Sequence, residues 1–533
     1  MNSIQQEQYI SIQQGCQQLK MRICGVNEFS AEKSELFRQV SDQLGRLDYR
    51  KLYDAYSGRI RKSQVEPMVL FEIIVCAYMK GVYSSRKIEE LCRENIQFIM
   101  LLDGHEAPDH CTIARFRSGE ETAVAIEDLF YQYAALLEKD GLTDHEEAFV
   151  DGTKIESKAN RYTFVWRKTV ERELKKIKEK AKELLGLGEG YTTKSKLGNK
   201  VAQLDEAIKE KGLKVEKGRG HHKPEEIRLR DNLSNLYDRW TNYEGKLKTL
   251  GTGRNSFSKT DPDATFMHMK DDHMRNGQLK PGYNVQFAVN SEFITGIGVF
   301  SNRTDYDTLP PLLEMMEQKH GKRYKRIVAD SGYESLKNYR HLREKNIAAY
   351  IKPNNYESSK TRKFKAQIGR SENMAYYQPG DYYVCKNEHI LPCIGSFTEH
   401  GKDGTEKTVS RYRCEDCKGC SFRAQCCKAK DPEQQKEVVV CREFMDFRQA
   451  SLERITTEEG KILRVNRSIQ SEGAFGQLKH NRRFVRFLTG GNLKVTSELF
   501  FLSLSQNILK RITKCNAGKE EIHLFTPQNL LKF

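Results

Sequence analysis

The chain has 533 residues, too many for a single compact core, so about two to four domains are expected. Apolar residues make up 38% and charged residues 30%, which excludes a membrane-embedded protein. Lys plus Arg outnumber Asp plus Glu by 89 to 73, a formal net charge of +16. That excess points to a polyanion such as nucleic acid, although a basic surface also serves solubility.

The first residues, "MNSIQQEQYISIQQGCQQLK", carry no apolar stretch of the kind a secretory leader needs. The best apolar run, "MVLFEIIVCAYM" at 68–79, contains Glu72 and is too short to span a bilayer. The expected setting is a reducing cytoplasm with no membrane partner. In it the 14 cysteines do not form a disulfide framework.

Residues 1–30 read as a polar lead-in. From 31 to 120 the apolar periods are helical: Leu36, Val40, Leu44 and Leu47 step by helix turns. Ser63 is placed to cap a helix with Pro67 in its first turn, and Ser84 or Ser85 to cap the next. "PDHCTIARFRSG" reads as a turn, a Thr112 cap and a helix that exposes Arg115 and Arg117. Short helices of this kind suit either a helix-turn-helix-like DNA reader or a bundle with basic solvated faces.

"HEEAFVDGTKIESK" puts an Asp-Gly pair, Asp151 and Gly152, after the strand-forming Phe149 and Val150. Alone, the pair reads as a turn at a strand tip. Residues 165–250 are rich in Lys and Glu. Leu229, Leu233, Leu236, Trp240, Tyr243 and Leu247 form a heptad seam, with a second stripe at Leu174, Ile177, Ala181 and Leu184. These amphipathic helices are expected to pack on one another within the chain.

Strand periods begin near 282. "GYNVQFAVN" and "FITGIGVFS", separated by "SE", read as a hairpin. "DTLPPLLEMMEQKHG" reads as a helix closed by Gly321. "YKRIVAD" is a strand ending on Asp330, "NYRHLREKN" a helix and "IAAYIKP" a strand. The order gives a mixed α/β sheet in which two strands end on an Asp. Sites in α/β sheets form at strand carboxyl ends, and adjacent carboxylates need a cation between them.

"NRSIQSEGAFGQLKHNRRFVRF" supplies a third acid, Glu472. On an ideal helix Glu472, Gly476, Lys479, Arg483 and Arg486 share one face, an acid followed by cations suited to phosphates. A solvated basic edge would look the same. Six of the cysteines lie between 414 and 441, in and after "CEDCKGCSFRAQCC". Cys417, Cys420 and Cys426 with Cys385 or Cys414 would serve as a Zn²⁺ set; free thiols are the other reading.

The blocks "FVDGTKIESKANRYTFVW", "DPDATFMHMKDDHMRNGQLKPGYNVQ", "VADSGYES" and "SEGAFGQLKHNRRFVRF", in this order, resemble the DDE transposases of bacterial insertion sequences. The likeness is strongest to the family written in words as IS eleven-eighty-two. It runs over most of residues 35–510, and "PDHCTIARFR" resembles the end of that family's N-terminal domain. The resemblance implies an RNase H-like core over 140–510 with a helical N-terminal DNA-binding domain at 31–120. A helical insertion at 165–250, a Cys-rich insertion at 355–450 and a C-terminal tail at 511–533 complete the expected plan.

It also implies that Asp151, Asp330 and Glu472 bind two Mg²⁺ ions, Mn²⁺ being an alternative. DNA contacts are expected from Lys479, Arg482, Arg483, Arg486, Arg467, Arg115 and Arg117. One departure is visible: the Tyr and Arg that related transposases often carry upstream of the Glu are replaced by Val465 and Ser468, with Arg464 and Arg467 each one residue away. The implied activity is cleavage and strand transfer on double-stranded DNA, at element ends and target, by a homodimer associated with DNA in the cytoplasm. The alternatives are a non-catalytic DNA-binding derivative and another nuclease of the same fold.

Overall fold

A computed structural model of the protein describes residues 31–57, 65–102, 105–187, 192–213, 223–269, 277–401, 404–429, 431, 434–519, 521 and 524–525. The lead-in 1–30, Ser63, residues 270–276 of the second quoted block and most of the tail beyond 519 lie outside the described residues. The chain forms two compact units. One takes the described residues up to Ile155 together with Asn284–Phe300 and those from Thr304 onward; the other takes Glu156–Tyr283 with Ser301–Arg303.

The first unit opens with helices α1 (Ala31–Leu44), α2 (Arg50–Ser57), α3 (Pro67–Met79), α4 (Ser85–Glu94), α5 (Ile96–Leu101), α6 (His110–Ser118) and α7 (Glu120–Lys139). Pro67 sits in the first turn of α3, where its missing N–H costs nothing. The cap of α6 is not Thr112 but Asp109, whose carboxylate accepts from the Thr112 N–H at 2.6 Å. A carboxylate three residues upstream is the better acceptor for that orphan donor. Helix α3 is buried nearly all round, because the long helix Asn492–Asn516 packs against both α3 and α7.

The sheet of the first unit uses β1 (Glu147–Glu156), β5 (Leu279–Asn290), β6 (Phe293–Phe300), β7 (Arg326–Ala329) and β8 (Ala348–Ile351); β2 to β4 belong to the second unit. Its order is β6-β5-β1-β7-β8, with β5–β6 antiparallel and β1–β7 and β7–β8 parallel. The β5–β6 hairpin turns on Ser291 and Glu292, both with positive φ (49° and 71°), as a two-residue turn of matching twist requires. Helix α11 (Leu309–His320) ends on Gly321 in the left-handed conformation, and α12 (Leu336–Glu344) follows β7. The fold is therefore mixed α/β.

In the second unit, α8 (Arg167–Leu184), α9 (Lys194–Glu210) and α10 (Glu225–Leu250) bury Leu174, Ile177, Ala181, Leu197, Leu233, Leu236 and Trp240 against one another. The heptad seam thus packs within the chain. Strands β2 (Phe164–Trp166) and β3 (Ser256–Ser258) pair at the root of this insert, and β4 (Thr265–His268) pairs with Leu279–Gly282. In the first unit, residues 375–440 form a separate antiparallel sheet of β9 (Ala375–Tyr377), β10 (Tyr382–Val384), β11 (Ile390–His400), β12 (Glu406–Arg413) and β13 (Glu437–Val440). No helix among the described residues is long and apolar enough to cross a membrane.

Candidate active site

Asp151 does not end a strand. Strand β1 continues to Glu156, and Asp151 is the first residue past the β7 ladder, whose last pair is Val150 with Ala329. Gly152 is not a turn glycine either. A β-carbon there would lie 2.8 Å from Asp305 Oδ1 and closer still to Gln286 Nε2, so any side chain would have to displace those groups. On the neighbouring strand, Asp330 follows Ala329 directly, and its Oδ1 accepts from the Gly332 N–H at 2.8 Å. The parallel pairing of β1 and β7 therefore leaves both Asp residues at one end of the shared ladder.

Glu472 lies on a long helical run that starts at Glu458. It is α-helical to Arg467, takes π-turns over Ser468–Glu472 and Gln477–Asn481, and is α-helical over Gly473–Gly476 between them. Ser471 Oγ donates to the Phe149 carbonyl at 3.3 Å, and the Phe475 ring stacks on Phe287 at 4.5 Å. These contacts fix the run against β1 and β5. Arg467 is the joint of the site. Its Nη1 lies 3.5 Å from Asp151 Oδ2 and its Nη2 3.3 Å from Glu472 Oε1, with only 15% of the side chain exposed. A guanidinium between two carboxylates offsets their repulsion.

Asp330 and Arg467 line one cavity of ≈ 560 Å³ with Lys352, Lys461 and Arg464. Arg464 also donates to the Tyr356 hydroxyl at 3.1 Å and lies over that ring. Four cations, Lys352, Lys461, Arg464 and Arg467, thus line the chamber beside Asp330. Lys461, Arg464 and Arg467 recur every third residue in "KILRVNR", a signal available in the sequence.

Asp305 was missed. It sits just before α11, and its Oδ1 accepts from Asn284 Nδ2 at 2.7 Å and Gln286 Nε2 at 2.8 Å. Burial, with Asp305, Asp151 and Asp330 beside it, holds the Tyr333 phenol protonated, well above the usual tyrosine range. The available signal was Asn284 and Gln286, two polar residues at strand spacing in a run that is otherwise apolar.

The shared face expected for Glu472, Gly476, Lys479, Arg483 and Arg486 does not form. The π-turns change the angle between successive residues, and the helical run ends at Asn481. Glu472, Arg483 and Arg486 are exposed, Lys479 is 9% exposed and Arg482 is buried. Arg115 is exposed, but Arg117 is buried, against the expectation for it. Its guanidinium donates to the Tyr78 hydroxyl at 2.9 Å, the Tyr83 carbonyl at 2.6 Å and Ser85 Oγ at 3.1 Å, because α6 turns that face onto α3.

Cys414 and Cys417 are buried in one cluster, with Cys385, Cys393 and Cys426 packed against it. Burial, with Cys417 and Cys385 beside it, pushes the Cys414 thiol up to about 12. Cys420 lies outside this cluster. Among the described residues, no group of three or more His, Cys, Asp or Glu side chains forms a ready metal cage.

Two family models match the chain. One, described as a transposase DDE domain, covers residues 384–512; the other, a transposase domain (DUF772), covers residues 28–119. Neither curated proteins nor solved structures offer a match. The first match spans the cysteine cluster and Glu472; Asp151 and Asp330 lie outside both. Together the matches support a DDE transposase, and with it a nuclease chemistry on DNA.

Proposed function

We propose that the chain is an active transposase of the IS eleven-eighty-two kind, with an RNase H-like core that cuts element ends and joins them to target DNA. The observation that carries the reading is the Arg467 bridge from Asp151 to Glu472, in a residue that also lines Asp330's cavity. Two of the three acids named from separate sequence blocks lie against this arginine, and the third lines the same cavity as it does. The sheet order β6-β5-β1-β7-β8 supports the core assignment.

The acids fit Mg²⁺ or Mn²⁺. They offer hard oxygen donors, and such an ion takes only one or two protein carboxylates, filling its other positions with water and phosphate. When bound, a pair of ions would lower the pKa of an attacking water and stabilise the leaving oxygen. Asp151, Asp330 and Glu472 would hold them. Lys352, Lys461 and Arg464 would bind the phosphates of the strand, and Arg467 would hold Asp151 and Glu472 at a fixed separation.

Cys385, Cys414, Cys417 and Cys426, which pack in one cluster, would be the ligands of a structural Zn²⁺. Sequence reading of the terminal repeats is assigned to the N-terminal helices, acting in a homodimer on two ends.

The test is metal-dependent cleavage of DNA bearing the element's terminal repeats. Asp151→Asn, Asp330→Asn and Glu472→Gln are each expected to lower cleavage by at least about a thousandfold while end binding persists, since each removes a charged ligand but keeps its shape. Wild-type cleavage in any one of them removes that residue from the triad.

A further inference from the structure

The strand β5 carries two fully buried amides, Asn284 and Gln286, on the face it turns toward the catalytic acids. Burying two amides is costly unless both are hydrogen-bonded. Here they are spent on one carboxylate oxygen, Asp305 Oδ1, which accepts from Asn284 Nδ2 at 2.7 Å and from Gln286 Nε2 at 2.8 Å. Gln286 Nε2 also donates to Asn284 Oδ1 at 2.9 Å, and Gln286 Oε1 accepts from the Tyr333 hydroxyl. The network therefore fixes the rotation of the Asp305 carboxylate.

Its second oxygen takes no part in that network. Asp305 Oδ2 lies 3.3 Å from the point where a β-carbon on Gly332 would stand, and Asp330 Oδ1 lies 2.9 Å from the same point. On the other side, Asp305 Oδ1 lies 2.8 Å from where a β-carbon on Gly152 would stand, next to Asp151. Glycines at both positions leave this carboxylate room between the two catalytic Asp residues. The buried Tyr333 hydroxyl, donating to Gln286 Oε1, closes the network.

We propose that Asp305 is a fourth carboxylate of the active centre, a positioning residue that Asn284 and Gln286 orient so that its Oδ2 anchors the hydrated divalent cation held by Asp151 and Asp330. The role rests on the DDE reading above and extends it. With an ion bound there, Asp305 would add negative charge beside Asp151 and Asp330 and would hold the ion through water.

The test uses the full-length protein with Mn²⁺ as probe, read by electron paramagnetic resonance without DNA, and the Mg²⁺ midpoint of cleavage on terminal-repeat DNA. Asp305→Asn keeps the shape and an acceptor oxygen for the two amides. It is expected to weaken Mn²⁺ binding about tenfold and to raise the Mg²⁺ midpoint by a similar factor, the usual effect of losing an outer partner of a metal site. Melting temperature and end binding should not change. Asn284→Ser, which keeps the acid but loses one tether, should move the Mg²⁺ midpoint in the same direction by less, and it decides the matter if Asp305→Asn fails to fold.

A folded Asp305→Asn with wild-type Mn²⁺ affinity and Mg²⁺ midpoint overturns the proposal. Asp151→Asn and Asp330→Asn run alongside. If these two keep full cleavage, the DDE reading itself falls. If they lose it while Asp305→Asn behaves as wild type, only the role of Asp305 falls.

Discussion

Gly152 illustrates how a residue's identity follows from what faces it. An Asp-Gly pair in sequence reads as a turn, and the turn reading is local and cheap. Here the chain stays extended, and the glycine is demanded by Gln286 and Asp305 across the sheet. Gly152→Ala is therefore expected to cost about 1–3 kcal/mol of stability, the usual range for overpacking a filled interior. It should also raise the Mg²⁺ midpoint of cleavage, because the added methyl displaces the amides that orient Asp305. Urea unfolding and a cleavage assay check both; an alanine variant of wild-type stability would mean that the strand shifts freely. Asp151, Asp330 and Glu472 were proposed from the sequence because each stands in a block with its own pattern. Asp305 was not, since its only sign in the sequence is the pair of amides on β5 that bind it, Asn284 and Gln286.

At the level of elements, strands and helices from 282 to 351 were legible because turn chemistry and apolar period agree there: the "SE" hairpin, the Gly321 stop and the Asp330 that follows β7, whereas Asp151 lies within β1 rather than at its end. The helical run 458–481 was legible as a helix but not in its phase. Two π-turns moved Lys479 inward, and spacing rules built on 3.6 residues per turn cannot foresee them.

The junction of α7, α11 and the start of β7 carries a titration of its own. His145 and His320 lie 5.5 Å apart, and burial lowers the pKa of each. Glu138, Asp144 and Lys322 face His145, and the Thr295 carbonyl lies 2.8 Å from His320 Nε2. With folded values below the unfolded value of about 6.5, the unfolded chain binds more protons once the pH falls below that point. Stability should then decline on acidification from about pH 6.5 toward the lower folded values, and less steeply in the His145→Asn, His320→Asn double variant. Urea midpoints measured from pH 7.5 to 5 test this; a double variant with the wild-type slope would assign the decline elsewhere.

The β9–β13 sheet makes a different demand. It buries Cys414 and Cys417 with Cys385 and Cys426 beside Tyr383, Leu391 and Tyr412, a cluster that a structural metal would consolidate. Purified, reduced protein is expected to hold about one Zn²⁺ per chain, the stoichiometry of a four-thiolate site. Cys414→Ser with Cys417→Ser should lose it. Metal analysis that finds none leaves the cluster as packed thiols.

On the scale of the whole molecule, metal-assisted attack on a phosphodiester reads backbone and not bases, so sequence reading must come from another part of the chain. The N-terminal helices are the candidate, but they do not stand alone. Phe71, Tyr78 and Phe116 pack on Phe501, and Ser505 Oγ donates to the Val75 carbonyl at 3.0 Å. A fragment ending near residue 120 would strip α3 of that cover, so the reader has to be tested in the intact chain. Arg86 and Lys87 at the start of α4 and Arg115 on α6 are exposed, whereas Arg117 is committed to the interior. Changing Arg86, Lys87 and Arg115 together to Ala should cut the preference for terminal repeats over random DNA by at least about tenfold, since one lost base contact is worth about 1–3 kcal/mol. Melting temperature should be unaffected. The rival reader is the helical insert. Its ends are already adjacent, with Trp166 paired to Ser256 and the Arg167 N–H bonded to the Asn255 carbonyl at 2.9 Å, so a short Gly-Ser linker can replace α8–α10. Competition binding with both variants decides between them: if the shortened chain loses the preference and the triple variant keeps it, the insert reads the ends.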